Sequence, residues 1–125
     1  MPAKCILLVD DSAIVRHGVR HMFEAHGYLI CGEAENGKEA IEKAEKLHPD
    51  LIVLDLSMPV MNGLEAAHVL SRMMPHVPLI LHSNYAGILR EEEARSAGIS
   101  AVVPKDKPAS MLVNTAHSLL YKACA

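Results

Sequence analysis

The chain has 125 residues, half of them apolar, with a formal net charge of −3 and no basic block. That length suits one domain, able to bury about two-thirds of its unfolded surface without disulfide or metal staples. The charge balance argues against a nucleic-acid footprint, no apolar run approaches the roughly 20 residues that span a bilayer, and the N-terminus lacks the features of a signal peptide, so the expectation is a soluble, cytoplasmic chain.

Residues 4–9 are a short apolar run closed by Asp10 and Asp11, and Ser12 is placed to cap the helix that follows. In that helix Val15, Val19, Met22 and Phe23 share one face, Arg16, Arg20 and Glu24 share another, and Gly27 ends it. Residues 28–34 read as a second strand, weakened by Gly32. Asn36 and Glu39 have capping-box spacing for a second helix, which offers Ala40, Ile41, Ala44 and Leu47 to the core and stops at His48-Pro49. Leu51 to Leu54 is an unbroken apolar run with turn residues on both sides, the mark of a strand buried on both faces.

Residues 63–73 form a third helix, with Leu64, Ala67 and Leu70 available to the core, and 79–82 a fourth strand with Ser83 at its end. A fourth helix over 86–97 has a thin apolar stripe and ends at Gly98; 99–103 is a fifth strand. After the break at Pro104-Lys105-Asp106-Lys107-Pro108, residues 109–122 form a last helix with Met111, Leu112, Thr115, Ala116, Leu119 and Leu120 in one stripe. Five strand–helix units in alternation imply an α/β fold: a parallel sheet, doubly wound, with helices on both faces. With no Trp and only Phe23 among phenylalanines, the core is aliphatic. The three cysteines show no CxxC spacing, and Cys5 and Cys31 lie within strand-like runs, so buried free thiols in a reducing compartment are expected.

In such a sheet all strand ends of one polarity share an edge, and ligands bind there. Asp10 and Asp11 follow the first strand, Asp55 the third, Ser83 the fourth and Lys105 the fifth. If the first and third strands are neighbours, three carboxylates crowd together and repel, and a hard divalent cation relieves them. Lys105 supplies a point charge suited to a phosphoryl oxygen, Ser83 a hydrogen bond, and Asp55 a nucleophile able to form an acyl phosphate. Each has a plainer reading alone: Asp10 or Asp11 as helix cap, Lys105 as surface lysine, Ser83 and Pro59 as turn residues, and Asn62 as a helix cap. His17 and His21, four apart, read as solvated histidines, and His82 as a packing residue.

The combination Leu7-Leu8-Val9-Asp10-Asp11-Ser12, Asp55-Leu56-Ser57-Met58-Pro59-Val60-Met61-Asn62-Gly63-Leu64-Glu65, Ser83 and Pro104-Lys105 resembles the receiver domain of two-component response regulators over essentially the whole chain. The wording around Asn62-Gly63 and Lys105-Asp106 is most like receivers that precede a LuxR-type helix-turn-helix domain, the NarL/FixJ-like group. The resemblance implies a flavodoxin-like (βα)5 fold with strand order 2-1-3-4-5. It implies a single receiver over residues 1–125 with no output domain in this chain, acting as a regulator rather than an enzyme beyond self-catalysed phosphoryl transfer and hydrolysis at Asp55. Asp55 takes the phosphoryl group from a histidine kinase or phosphotransfer protein. Asp11, Asp55 and the backbone carbonyl of Ser57 bind Mg²⁺, with Asp10 acting through water and Mn²⁺ or Ca²⁺ able to substitute. Lys105 pairs with the phosphoryl group, and Ser83 moves toward it and shifts the 86–103 region. A homodimer on phosphorylation is also implied.

Two positions depart from the family pattern. Val102 stands where an aromatic switch residue is usual, and Asn84 stands where a small residue follows the switch hydroxyl. Ser57 and Tyr85, two beyond Asp55 and Ser83, occupy positions that tune phosphoryl lifetime in the family. Two other classes compete. A haloacid-dehalogenase-like hydrolase needs a second Asp where Ser57 stands, and a docking module that has lost the chemistry would not need the full acidic set with Lys105. A nucleotide-binding reading fails for lack of a glycine-rich phosphate loop.

Overall fold

Leu51, Ile52, Val53 and Leu54 form the central strand of a five-stranded sheet and are almost completely buried. The computed structural model describes residues 3–84 and 90–121. Its elements are β1 (Cys5–Val9), α1 (Ala13–Ala25), β2 (Leu29–Ala34), α2 (Gly37–Leu47), β3 (Leu51–Leu54), α3 (Gly63–Met73), β4 (Leu79–Ser83), α4 (Glu91–Ser96), β5 (Ala101–Pro104) and α5 (Ala109–Tyr121). All neighbouring strands pair in parallel, in the order β2-β1-β3-β4-β5.

Strand side chains alternate between two core layers because the period of a strand is two. Leu7, Val9, Ile52, Leu54, Leu79 and Leu81 face the alanine-rich sides of α2, α3 and α4. Ile6, Leu8, Leu51, Val53, Ile80 and Val103 face Val19 and Phe23 of α1 and Leu112, Val113 and Ala116 of α5. Small residues (Ala40, Ala44, Ala66 and Ala67) let α2 and α3 lie close to the sheet. Leu47 and Met111, expected in the core, are 36% and 40% exposed. Both sit in terminal turns, and the last helix buries Val113 in place of Met111.

The starts of β2 and β5 fall later than the periodicity predicts, and for one shared reason. At the end of α1, the amides of Gly27 and Tyr28 bond back to the carbonyls of Glu24 and Phe23. At the end of α4, the amides of Gly98 and Ile99 bond back to Arg95 and Ala94. Gly27 and Gly98 have φ of 87° and 85°, the left-handed conformation such a helix termination requires. Tyr28 and Ile99 are thereby committed to closing helices, so β2 begins at Leu29 and β5 at Ala101. Tyr28 also packs edge-on against Phe23, with ring centroids 5.7 Å apart. The expected helix over 86–97 is shorter: Arg90 is extended (ψ 143°) and the helix begins at Glu91, while residues 85–89 lie outside the described residues. Three glutamates in its first turn complement the helix dipole. Cys5 and Cys31 are free but only half-buried; Cys124 is outside the described residues.

Candidate functional site

The pairing of β1 with β3 sets Val9 opposite Leu54, so the residues that follow, Asp10 and Asp55, emerge side by side at the carboxyl edge. The Asp55 amide donates to the Val9 carbonyl at 2.8 Å and the Asp10 amide to the Ala34 carbonyl at 3.0 Å, which fixes both backbones to neighbouring strands. Ser12 caps α1, and Asp10 Oδ1 accepts from the Ser12 amide at 2.9 Å. The carboxylates of Asp10, Asp11 and Asp55 each bring an oxygen within 4.8 Å of the others; Asp10 and Asp55 are buried and Asp11 is exposed. Lys105 Nζ lies 2.7 Å from Asp10 Oδ2 and 3.4 Å from Asp55 Oδ2. Ser83, fully buried, sits beside it, and its carbonyl accepts from the Lys105 amide at 3.2 Å. The five residues singled out at strand ends thus converge.

The loop after Asp55 is tied down by its glycine. The Gly63 amide donates to the Leu56 carbonyl at 2.8 Å, and a Cβ on Gly63 would overlap the Asp55 carbonyl oxygen. Asn62 and Glu65 form a full capping box that starts α3. Met61 sends its carbonyl to the Gly37 amide at 2.9 Å, joining this loop to the start of α2. At Gly37, too, a side chain would meet Met61 backbone.

Burial raises the Asp55 carboxyl above its ordinary pKa, the Asp10 charge raises it further, and Lys105 opposes both. Burial would lower the Lys105 ammonium, but its bond to Asp10 and the charges of Asp10 and Asp55 outweigh this and raise it. Three carboxylates and one ammonium leave a net charge of about −2 when all are ionised. The donors are all hard oxygens. A divalent cation of the Mg²⁺ type matches both the charge and the ligand chemistry. Among the described residues this is the one group of three or more ligating side chains. His17 and His21 are exposed on α1 with ring centroids 4.5 Å apart and belong to no such group.

Of the tuning positions, Ser57 and Asn84 are exposed beside the site, and Tyr85 lies outside the described residues. Val102 is half-buried opposite Leu81 and lines a groove with Ala94, Arg95 and Ile99. Arg16, which the helical pattern places on the wet face of α1, is instead nearly buried: its side chain is 10% exposed and donates to the Asp10 carbonyl. His82 is also drawn toward the site, lining a small void with Asp10, Arg16 and Asp55. No spacing in the sequence distinguishes either from a surface or core residue.

A doubly wound sheet with this acidic edge is the architecture of a phosphoryl-accepting switch. The chain belongs to the response regulator receiver domain family, whose model matches residues 6–117. It is 33% identical to a chemotaxis protein CheY of Thermotoga maritima over 116 residues, covering 93% of this chain and 97% of that one. It is 40% identical over 102 residues to a protein-glutamate methylesterase/protein-glutamine glutaminase of Alkalilimnicola ehrlichii, covering 79% of this chain but only 26% of that protein, so the chain spans about a quarter of its length. A crystal structure of a LuxR-family two-component response regulator from Aurantimonas sp. SI85-9A1 superposes with a TM-score of 0.88 at 28% identity, covering 97% of this chain and 87% of that one. The chain is therefore a CheY-like receiver of two-component systems with a phosphoacceptor signalling role. Receivers bind Mg²⁺ at an acidic aspartate cluster and interact with histidine kinases or phosphotransfer proteins. Among the described residues no helix is long and apolar enough to cross a membrane.

Proposed function

We propose that Asp55 is the phosphoacceptor and that Asp11, Asp55 and the Ser57 carbonyl are the direct ligands of Mg²⁺, with Asp10 acting through water. The observation that carries this is the prior engagement of Asp10. Its Oδ1 accepts from the Ser12 amide at 2.9 Å and its Oδ2 from Lys105 at 2.7 Å, whereas Lys105 stands 3.4 Å from Asp55, whose other partner is the Leu56 backbone. Asp55 is therefore the less firmly held of the two buried carboxylates, and the one whose oxygen reacts. That oxygen attacks the phosphorus of a phosphohistidine; the O–P bond forms, the N–P bond breaks, and the imidazole leaves with the electron pair and takes up a proton. Mg²⁺, with Mn²⁺ or Ca²⁺ as substitutes, neutralises the phosphoryl oxygens when bound. Lys105 turns from Asp10 to a phosphoryl oxygen and Ser83 donates to another, which biases the 86–103 region toward a second arrangement.

On this reading the chain works in the cytoplasm as a receiver over residues 1–125, chemically active only in its own phosphorylation and dephosphorylation. Its donor is a histidine kinase or phosphotransfer protein. The likeness to a LuxR-family regulator favours a role in transcription, with homodimerisation on phosphorylation. The test is intact mass after incubation with acetyl phosphate, with and without Mg²⁺. A gain of one phosphoryl group that needs Mg²⁺ and is absent from Asp55→Ala is expected; equal labelling of the variant removes Asp55 from the role. If the wild type gains nothing, failure to bind beryllofluoride in Mg²⁺ identifies a docking module without the chemistry.

A further inference from the structure

Arg16 reaches out of α1 to the strand edge that carries the acidic pair. One of its terminal nitrogens donates to the Asp10 carbonyl, and its Nε donates to Glu33 Oε1 at 2.8 Å. Glu33, on β2, is held in turn: its Oε2 lies 2.7 Å from Arg20, and its backbone carbonyl accepts from Lys43 of α2. Burial works against the Glu33 carboxylate, yet Arg20 and Arg16 together keep it below its ordinary pKa. One carboxylate thus anchors a guanidinium fork from α1, and the fork grips the peptide between Asp10 and Asp11. A planar guanidinium fixes its partners in angle as well as distance, which a point charge does not. Arg16 also lines the void that Asp10, Asp55 and His82 share.

We propose that Arg16, anchored by Glu33, is a positioning residue for the cation site: it sets the orientation of the Asp10–Asp11 peptide and thereby aims Asp11. This rests on the reading of Asp10, Asp11 and Asp55 as the Mg²⁺ site. Two physical roles for Arg16 predict opposite signs. A bare positive charge near the site repels Mg²⁺, so neutralising it would tighten binding. A positioning role means that removing it weakens binding, because the outer partners of metal ligands fix the ligands' geometry.

The experiment is calorimetric titration of Mg²⁺ into the protein with no phosphoryl donor present, so that affinity is read apart from phosphorylation. Arg16→Met is expected to weaken Mg²⁺ binding about tenfold, in the range found when outer partners of metal ligands are removed. Arg20→Met removes the same charge from Glu33 but makes no bond to Asp10, and is expected to keep the wild-type affinity. Should Arg16→Met fail to fold, Arg16→Lys carries the test: a single ammonium cannot reproduce the planar grip of two nitrogens on the Asp10 carbonyl and Glu33, and the affinity again falls. Affinity unchanged or tightened in the folded Arg16 variant, or an equal loss in Arg20→Met, overturns the proposal. Asp11→Asn tests the underlying reading separately: it abolishes binding if Asp11 is a ligand. A wild-type protein that binds no Mg²⁺ overturns both.

Discussion

Lys105 Nζ is closer to Asp10, at 2.7 Å, than to Asp55, at 3.4 Å. In this arrangement the lysine chiefly neutralises Asp10, and not the residue proposed as phosphoacceptor. It is about 13% exposed and its partners are buried, so the three charges form a unit with little solvent screening. Lys105→Met leaves two buried carboxylates facing each other. We expect it to lose about 3 kcal/mol of stability without Mg²⁺, the scale of a broken buried pair, and to recover much of it when Mg²⁺ is added. Urea midpoints with and without Mg²⁺ decide the matter; an equal deficit in both conditions would mean that the lysine is not balancing the acids.

Asp55 carries the opposite expectation. Its raised pKa means that the folded protein disfavours the charged carboxylate, first through burial and then through Asp10. A carboxyl whose folded pKa lies above its unfolded value loses stability as pH rises through that interval, and the loss persists at neutral pH. Asp55→Asn should therefore stabilise the Mg²⁺-free protein at pH 7 by about 1 kcal/mol, while abolishing phosphoryl uptake. A less stable Asp55→Asn protein would contradict the electrostatic account of the site.

His82 gives the pH dependence a second source. Burial, with Lys105 adding to it, lowers its pKa from the ordinary 6.5 to about 4. The unfolded chain therefore binds a proton between pH 6.5 and 4 that the folded chain does not, so this contribution is present above pH 6.5 and is lost as pH falls through that window. Allowing for the ring's partial exposure, the loss amounts to about 2 kcal/mol. His82→Leu should flatten the stability profile across this range by that amount. An unchanged slope in thermal melts at pH 7 and pH 4.5 would assign the dependence to other groups.

Val60 stores strain next to the site. It is the centre of a three-residue turn closed by the Met61 amide on the Pro59 carbonyl at 2.7 Å, with φ of 67°, and it is 78% exposed. A β-branched residue in the left-handed region is disfavoured, and an exposed side chain offers little packing in return. Val60→Gly should raise stability by about 1 kcal/mol, read as a higher urea midpoint with the same slope. Destabilisation would mean that the valine side chain contributes packing to the loop.

Much of this architecture is legible in the residues. The apolar run Leu51 to Leu54, the alternation of strands and helices, and the caps Ser12, Asn36 and Asn62 are local features, and each appears where its chemistry places it. The boundaries at Tyr28 and Ile99 were less legible, because an apolar β-branched or aromatic residue suits a strand and a helix-closing position equally. The five strand-end residues are legible because a parallel sheet gathers carboxyl ends on one edge. Strand order is legible only through the family resemblance, since periodicity states only that strands exist.

The sequence by itself determined the repertoire: which segments bury both faces, where backbones turn, and which acids, hydroxyl and ammonium stand at strand ends. These depend on side-chain type and on periods of two and 3.6 residues, both local. The tertiary structure alone decided which acid is the more firmly engaged, that Lys105 favours Asp10, and that Arg16 leaves solvent to bind the Asp10 carbonyl and Glu33. The physical reason is range. Contacts across 17 residues of chain, as between Arg16 and Glu33, exist only once α1 has packed against β2, and no local pattern encodes that distance.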